Sequence, residues 1–145
     1  MLAGKAETEE VPVADFRRLS DTVQVAPQIA LSDIAEAAAL GVTTVVSNRP
    51  DGEDPGQPTA AEVAEAARAA GLAFVNAPVS GFPDEAAIHA VGEVLAKGES
   101  VLMFCRSGTR SAMTWALAMR RAGADAEALR EAGARAGYDL SRLPL

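Results

Sequence analysis

Residues 100–112 read SVLMFCRSGTRSA, and the rest of the chain is organised around this stretch. Val101–Phe104 is an apolar run with the length of a buried strand, and the single cysteine of the chain, Cys105, follows directly. A polar turn with one glycine comes next, and the sequence becomes helical from Ser111. Such a strand, loop and helix N-terminus bring unpaired backbone N–H groups and the positive end of a helix dipole together. The stretch therefore predicts an anion-binding loop.

The cysteine that begins this loop is the candidate nucleophile. Backbone N–H groups and a helix N-terminus favour the thiolate, the nucleophilic form of the side chain. We predict that Cys105 is catalytic and that Arg110 binds an anion through its guanidinium group. The other candidate anion contacts are the remaining polar and glycine residues of the turn: Arg106, Ser107, Gly108, Thr109 and Ser111. Their alternative roles are structural, as a solvated arginine, hydroxyls that shape the turn, and a glycine that permits positive φ.

Composition limits the classes of function. The chain has 145 residues, 49% of them hydrophobic, and a net charge of −7. A length in this range favours one globular domain, here residues 16–145, preceded by a flexible tail, residues 1–15. The negative charge argues against nucleic-acid partners and anionic membranes, so the expected partner is a small anionic substrate. The sequence does not indicate an oligomeric state.

One cysteine and one histidine are too few for a soft-metal site, and we expect neither a metal nor an organic cofactor. A lone cysteine also fits a reducing compartment. No apolar run approaches transmembrane length, and the acidic N-terminal residues do not resemble a signal peptide. These features predict a cytoplasmic protein.

Apolar runs alternate with helical segments along the chain, which predicts an α/β fold with mainly parallel strands and helices on both faces of the sheet. Predicted core strands are Val42–Ser47, Leu72–Val75 and Val101–Phe104, with shorter extended segments at Phe16–Leu19 and Thr22–Val25. Ser32 and Thr59 are predicted helix N-caps, and Pro83 is the predicted first residue of the third helix. A final helix is expected over Ala126–Ala136 and a tail over Tyr138–Leu145.

Parallel sheets bind ligands beyond the carboxyl ends of their strands. That edge would carry the loops Asn48–Pro58, Pro78–Phe82 and Cys105–Arg110. In the first loop, Arg49 is a candidate second cation for the substrate, and Asp51 or Glu53 is a candidate general acid. The alternative is turn chemistry with a structural salt bridge. His89 lies off the apolar stripe of its helix, so we expect it to be exposed and not to act as a base for Cys105.

The runs LSDTVQVAPQI, VVSNRPDGEDPGQP and FCRSGTRS resemble one bacterial family, the beta-lactamase hydrolase-like protein, phosphatase-like domain family. The resemblance covers roughly residues 19–137. It implies a fold similar to that of the dual-specificity cysteine phosphatases, with a sheet of four or five strands. It also implies an active-site cysteine and arginine, which fall on Cys105 and Arg110.

Two features separate this chain from cysteine phosphatases. Those enzymes carry C-x-x-x-x-x-R, whereas Cys105 to Arg110 is C-x-x-x-x-R, a spacing that resembles rhodanese-type sulfurtransferases. They also use an aspartate acid in the loop before the helix that precedes the cysteine strand, and residues 72–83 contain no acid. A smaller ring of N–H donors suits a persulfide sulfur better than a phosphoryl group, and sulfur transfer needs less acid assistance.

The leading hypothesis is therefore a sulfurtransferase in which Cys105 takes a sulfane sulfur from thiosulfate or a small persulfide. The alternative enzyme is a phosphatase that forms a phosphocysteine, with Asp51 or Glu53 as acid. A third possibility is an anion-binding module without turnover.

Overall fold

The structure is a computed structural model that describes residues 14–145. Nearly all of the predicted flexible tail, residues 1–15, lies outside the described residues. The described part contains a five-stranded sheet with the order β1-β2-β5-β3-β4. The strands are β1 Arg17–Arg18, β2 Val23–Ala26, β3 Thr44–Ser47, β4 Ala73–Asn76 and β5 Val101–Phe104. Only β1 runs antiparallel to its neighbour, so the predicted mainly parallel sheet is confirmed.

The strand before Cys105 lies at the centre of the sheet. β5 pairs with β2 on one side and with β3 on the other, in registers that place Phe104 beside Ala26 and Ser47. All four residues of β3 and of β5 are buried, as expected of strands covered on both faces. The strand predicted at Leu72–Val75 is present as β4, but it lies at the edge of the sheet, and its residues are exposed or only partly buried. Its outer side has no further strand among the described residues.

Five helices of the described chain cover the two faces of the sheet. They are α1 Ser32–Ala39, α2 Ala60–Ala69, α3 Glu85–Ala96, α4 Thr109–Arg121 and α5 Ala126–Arg135. On one face, Ile34 of α1 and Val63 of α2 pack in a cluster with Leu102 of β5. On the other face, Val91 of α3 and Trp115 of α4 pack in a cluster with Met103. Neighbouring residues of β5 therefore serve opposite clusters, as the alternation of a strand requires.

The helix caps agree with the sequence prediction at one helix and differ at two. Thr59 forms the predicted capping box with Glu62 at the start of α2. Ser32 is not an N-cap, because α1 begins at Ser32 after Leu31 and has no side-chain cap. Pro83 is not the first residue of α3, which begins at Glu85 with Asp84 as the N-cap. The Asp84 carboxylate accepts the N–H of Ala87, a role that a proline side chain cannot fill.

The C-terminal segment is part of the core, so its prediction as a tail was wrong. Tyr138, Leu140 and Leu143 are only 4%, 2% and 6% exposed and belong to the cluster that contains Trp115. Gly133 in α5 makes room for this segment, because a Cβ at that position would collide with the side chain of Leu140. The residues that follow α5 therefore fold back and pack in the same core cluster as Trp115 of α4.

Candidate active site

Cys105 follows β5 directly, and its side chain is fully buried. The backbone N–H of Gly108 donates to the Sγ of Cys105 at 3.1 Å. Gly108 adopts φ +97°, which turns its peptide group toward the sulfur and is accessible to glycine at little cost. The helix after the loop, α4, begins at Thr109 rather than at the predicted Ser111, so Arg110 lies in its first turn.

Arg110 is held by two acceptors from the neighbouring loops. Its Nη1 donates to the carbonyl oxygen of Val79 at 2.6 Å and to Glu53 at 2.8 Å, and its Nη2 donates to Glu53 at 2.9 Å. The hydrogen bonds to Glu53 and the nearby Cys105 sulfur raise the pKa of Arg110, while burial opposes that shift. The three predicted active-edge loops thus converge on Arg110, as the parallel topology implies.

Glu53 is an ionised acceptor rather than a proton donor. Besides Arg110, the Nε of Arg49 donates to its carboxylate at 3.0 Å. These two guanidinium groups, Arg110 first, lower the pKa of Glu53 from 4.5 to about 2. A carboxyl group with this pKa carries no proton at neutral pH, so the geometry does not support Glu53 as a general acid.

The other candidate acid, Asp51, stabilises the start of α2. Its Oδ1 accepts the N–H of Ala60, the first residue of that helix, at 2.8 Å. This is a helix-terminus contact, and it satisfies a backbone donor that α2 itself leaves unpaired. The geometry therefore assigns Asp51 to loop structure and does not support it as a general acid.

Arg49 forms a salt bridge within its own loop, as expected if its role is structural rather than substrate binding. Its side chain is only 5% exposed and lies between Glu53 and the side-chain oxygen of Gln28, which is 3.0 Å from its Nη1. Arg49 also borders a groove of about 390 Å³ that continues to Arg106. Arg106 is exposed, and its carbonyl oxygen accepts the N–H of Gln28 at 3.1 Å.

The hydroxyl residues predicted to contact an anion make hydrogen bonds within the protein that hold the loop in shape. Ser107 and Thr109 hydrogen-bond each other through their side chains at 3.2 Å. The N–H of Thr109 also donates to the Ser107 hydroxyl at 3.3 Å. Ser111 is fully buried, and its hydroxyl donates to Asn48 at 2.8 Å, so this side chain links α4 to the end of β3.

Asn48 is a positioning residue that the sequence analysis did not single out. It is fully buried, and its Nδ2 donates to the carbonyl oxygen of Ala77 at 2.8 Å. Its Oδ1 accepts from Ser111, and its backbone N–H donates to Phe104 at 2.8 Å. Asn48 thus joins the ends of three strands. A polar residue directly after a buried strand, at the edge expected to carry the site, was the available signal.

Tyr138 contacts the anion-binding loop from the C-terminal segment. The sequence did not indicate this contact, because Tyr138 falls in the segment predicted to be a tail. Its hydroxyl donates to the carbonyl oxygen of Ser107 at 3.4 Å. The guanidinium group of Arg17 lies 5.3 Å from the centre of its ring. Burial raises the pKa of Tyr138, which keeps the hydroxyl protonated and able to donate.

His89 is exposed, as predicted, and its Nε2 lies 3.6 Å from Glu93 on the surface of α3. Within residues 14–145, no group of three or more histidine, cysteine, aspartate or glutamate side chains is arranged to hold a metal ion. Nor does any described helix have the length and apolar character needed to cross a membrane.

Residues 15–124 match the family model described as beta-lactamase hydrolase-like protein, phosphatase-like domain. The chain belongs to this family. A beta-lactamase hydrolase-like protein from Agrobacterium fabrum is 35% identical over 102 residues, which is 69% of this chain and 24% of that protein. One from Xylella fastidiosa strain Temecula1 is 36% identical over 130 residues, 86% of this chain and 30% of that protein. The chain thus spans less than a third of the curated relatives it matches.

Solved structures support the same fold. A phosphatase-like protein from Neisseria meningitidis Z2491 superimposes with a TM-score of 0.75 and 26% identity, covering 90% of this chain and 96% of that one. The protein Tk-PTP superimposes at 0.65 with 20% identity, covering 85% of each chain. TpbA from P. aeruginosa, solved with phosphotyrosine, superimposes at 0.61 with 22% identity, covering 90% of this chain and 78% of that one. The predicted similarity to cysteine phosphatases is therefore confirmed at the level of the fold.

Proposed function

We propose that this chain is a cysteine-dependent enzyme that takes a group from a small anionic donor, with Cys105 as the nucleophile. The observation that carries the proposal is the 3.1 Å contact from the Gly108 N–H to the Cys105 sulfur, at the end of a central strand. A donor N–H at this distance stabilises a negatively charged sulfur. Arg110, in the first turn of α4, is the proposed anchor for the anionic part of the donor.

Two reactions fit this machinery, and different observations favour each. The comparisons favour phosphoester hydrolysis over sulfur transfer, because the family is described as phosphatase-like and its structural neighbours include a phosphotyrosine complex. Two features of this chain support sulfur transfer, which we propose as its leading function.

The first reason is the absence of a free acid among the candidates. Glu53 is ion-paired with Arg110, Asp51 accepts the first N–H of α2, and Asp84 is the N-cap of α3. The loop over residues 78–82, which precedes α3, contains no acidic residue. Cleavage of a phosphoester of an alcohol needs a proton for its leaving oxygen. Sulfite and thiolates are weakly basic leaving groups and depart without one.

The second reason is the size of the loop. Four residues separate Cys105 from Arg110, one fewer than in cysteine phosphatases. A phosphoryl group has three equatorial oxygens that need donors, whereas a persulfide has a single terminal sulfur. The shorter loop offers fewer N–H donors and suits the smaller group.

The proposed reaction has two transfers. The Cys105 thiolate attacks the outer sulfur of thiosulfate, a new S–S bond forms, and sulfite leaves with the electron pair of the old S–S bond. The resulting Cys105 persulfide is stabilised by the N–H groups of the loop. An acceptor thiolate or cyanide then attacks the outer sulfur, and the Cys105 thiolate leaves with the electrons of that bond.

The test offers thiosulfate and an aryl phosphate in parallel to the wild type and to Cys105→Ser. We expect transfer of sulfur to cyanide by the wild type alone, and one additional sulfur atom on Cys105 by mass spectrometry. No transfer and no persulfide would refute the sulfurtransferase proposal.

The second candidate is a phosphatase, which the comparisons support. It requires Asp51 or Glu53 to leave its present partner and protonate the leaving group. Asp51→Asn would then slow aryl phosphate hydrolysis, and Cys105→Ser would abolish it. If neither substrate is turned over, the third hypothesis, an anion-binding module, is left.

A further inference from the structure

The carboxylate of Glu53 is bound to Arg110, the residue proposed as the anchor of the anionic donor. Both Nη atoms of Arg110 donate to its two oxygens, at 2.8 and 2.9 Å. This two-pronged geometry is the one in which a guanidinium group recognises a carboxylate or a phosphate ligand. The protein's own side chain therefore already occupies the donor-facing fork of Arg110.

A second cation stabilises this arrangement. Arg49 donates from its Nε to Glu53 at 3.0 Å and is itself held by Gln28. The side chain of Arg49 is 5% exposed and that of Arg110 is 16% exposed, so solvent screens both charges only in part. With one carboxylate between two guanidinium groups, the cluster carries one net positive charge.

In the structure with Glu53 bound to Arg110, the candidate nucleophile is also buried. Cys105 is 0% exposed in this state, and its sulfur lies close enough to Arg110 to raise the pKa of that residue. A donor that uses Arg110 as its anchor must therefore replace Glu53 on the guanidinium group. Once Glu53 has left, both guanidinium groups are free to pair with the donor, and a doubly charged anion offers one negative charge to each.

We propose that Glu53 is a specificity-determining residue, a built-in competitor that a doubly charged oxyanion displaces from Arg110 and that a singly charged one does not. The proposal rests on the proposed function, because it takes Arg110 as the anchor of the donor. When a binding-competent state is only partly populated, apparent affinity falls by the populated fraction. Removing the competing charge should therefore tighten anion binding.

The test measures binding of inorganic sulfate, an unreactive divalent probe, by isothermal titration calorimetry at fixed ionic strength. Glu53→Gln should lower the dissociation constant by about fivefold, the scale expected for a partly exposed ion pair. Acetate, the singly charged probe, should bind measurably only to Glu53→Gln. The matched control is Glu85→Gln, because Glu85 forms an equally bidentate pair with Arg121 on the surface of α3 and α4. It should leave sulfate binding unchanged.

Several results would overturn the inference. Equal sulfate affinity in the wild type and Glu53→Gln would show that Glu53 does not compete, and weaker binding would make it a residue that orients Arg110. No sulfate binding to either protein would also overturn it, whereas the proposed function is judged separately by the transfer assay. Should Glu53→Gln fail to fold, Glu53→Asp keeps the charge but shortens its reach, and it should tighten sulfate binding to a smaller degree.

Discussion

The hydroxyl group of Tyr138 occupies the space that a side chain on Gly108 would need. Gly108 is therefore required twice, once for its φ of +97° and once for the close approach of the tyrosine. Its N–H is the group that donates to the Cys105 sulfur. A residue thirty positions after Gly108 thus packs against the peptide that contacts the candidate nucleophile.

Replacing Gly108 should harm both stability and activity. In Gly108→Ala the new methyl group collides with Tyr138 and the backbone is strained, which together should cost about 2–5 kcal/mol of unfolding free energy. Urea unfolding measures this, and a sulfur-transfer assay measures the accompanying loss of activity. The matched control is Gly41→Ala, because Gly41 has φ +94° but open space around its Cβ position. It should show only the strain of about 1–2 kcal/mol. Equal costs at the two positions would contradict the role of Tyr138.

Asn48 takes no part in the proposed reaction, but we expect its replacement to destabilise the protein. Asn48→Ala leaves the Ser111 hydroxyl and the Ala77 carbonyl without their buried partners, which should cost about 1–3 kcal/mol for each unpaired group. Chemical denaturation gives the stability change. The exposed Asn76, at the end of β4, provides the control Asn76→Ala, which should be close to neutral. An equal loss of stability in both variants would argue against Asn48 as the residue that joins the ends of the three strands.

Arg110 should not tolerate lysine. A single ammonium group cannot donate to both oxygens of an anion in the plane that the guanidinium group provides. We expect Arg110→Lys to lower kcat/KM by about 10²–10³-fold, the range seen when one anion-stabilising donor is removed. Steady-state kinetics with thiosulfate tests this. Arg121→Lys changes an equally bidentate but surface-exposed pair, and its kinetics should match those of the wild type. Unchanged kinetics in Arg110→Lys would show that Arg110 is not the anchor.

The stability contributed by Glu53 should depend on pH in a defined window. Its pKa in the folded protein is about 2, below the ordinary value of 4.5, so the folded state favours the ionised form. The contribution is complete above pH 4.5 and is lost as the pH falls toward 2. The difference in unfolding free energy between the wild type and Glu53→Gln should therefore shrink across this window. A pH-independent difference, measured by urea unfolding, would contradict the ion pair. Glu85→Gln should show a weaker dependence, because solvent screens that exposed pair.

Local patterns were enough to predict the α/β sheet and to propose Cys105 and Arg110 as the central residues of the site. The apolar run before Cys105, the glycine in the turn and the helical stretch after it are all short-range signals. The capping box at Thr59 is of the same kind. Each of these features depends on neighbours in the chain, and so it can be inferred from the chain alone.

The roles of the acidic residues could not be inferred in this way. Their position in the loop suggested that Glu53 or Asp51 donates a proton, whereas in the structure Glu53 contacts Arg110 and Asp51 contacts the start of α2. Of the two arginines that lower the pKa of Glu53, Arg49 lies in the same loop but Arg110, which has the larger effect, lies 57 positions away. The helix end that Asp51 stabilises begins nine residues after it. The role of each carboxylate therefore depends on partners that the loop sequence alone does not identify.

By itself, the sequence predicted that a cysteine follows a buried strand, that an arginine ends the loop before the next helix, and that the spacing between them is one residue short of that in cysteine phosphatases. Only the tertiary structure decided that Tyr138 supports the loop, that Asn48 joins the strand ends, and that Glu53 occupies Arg110. The physical reason is the range of the interactions. Backbone propensities and strand or helix periodicity act over a few residues, whereas burial, ion pairing and steric contact depend on which distant segments the fold brings together.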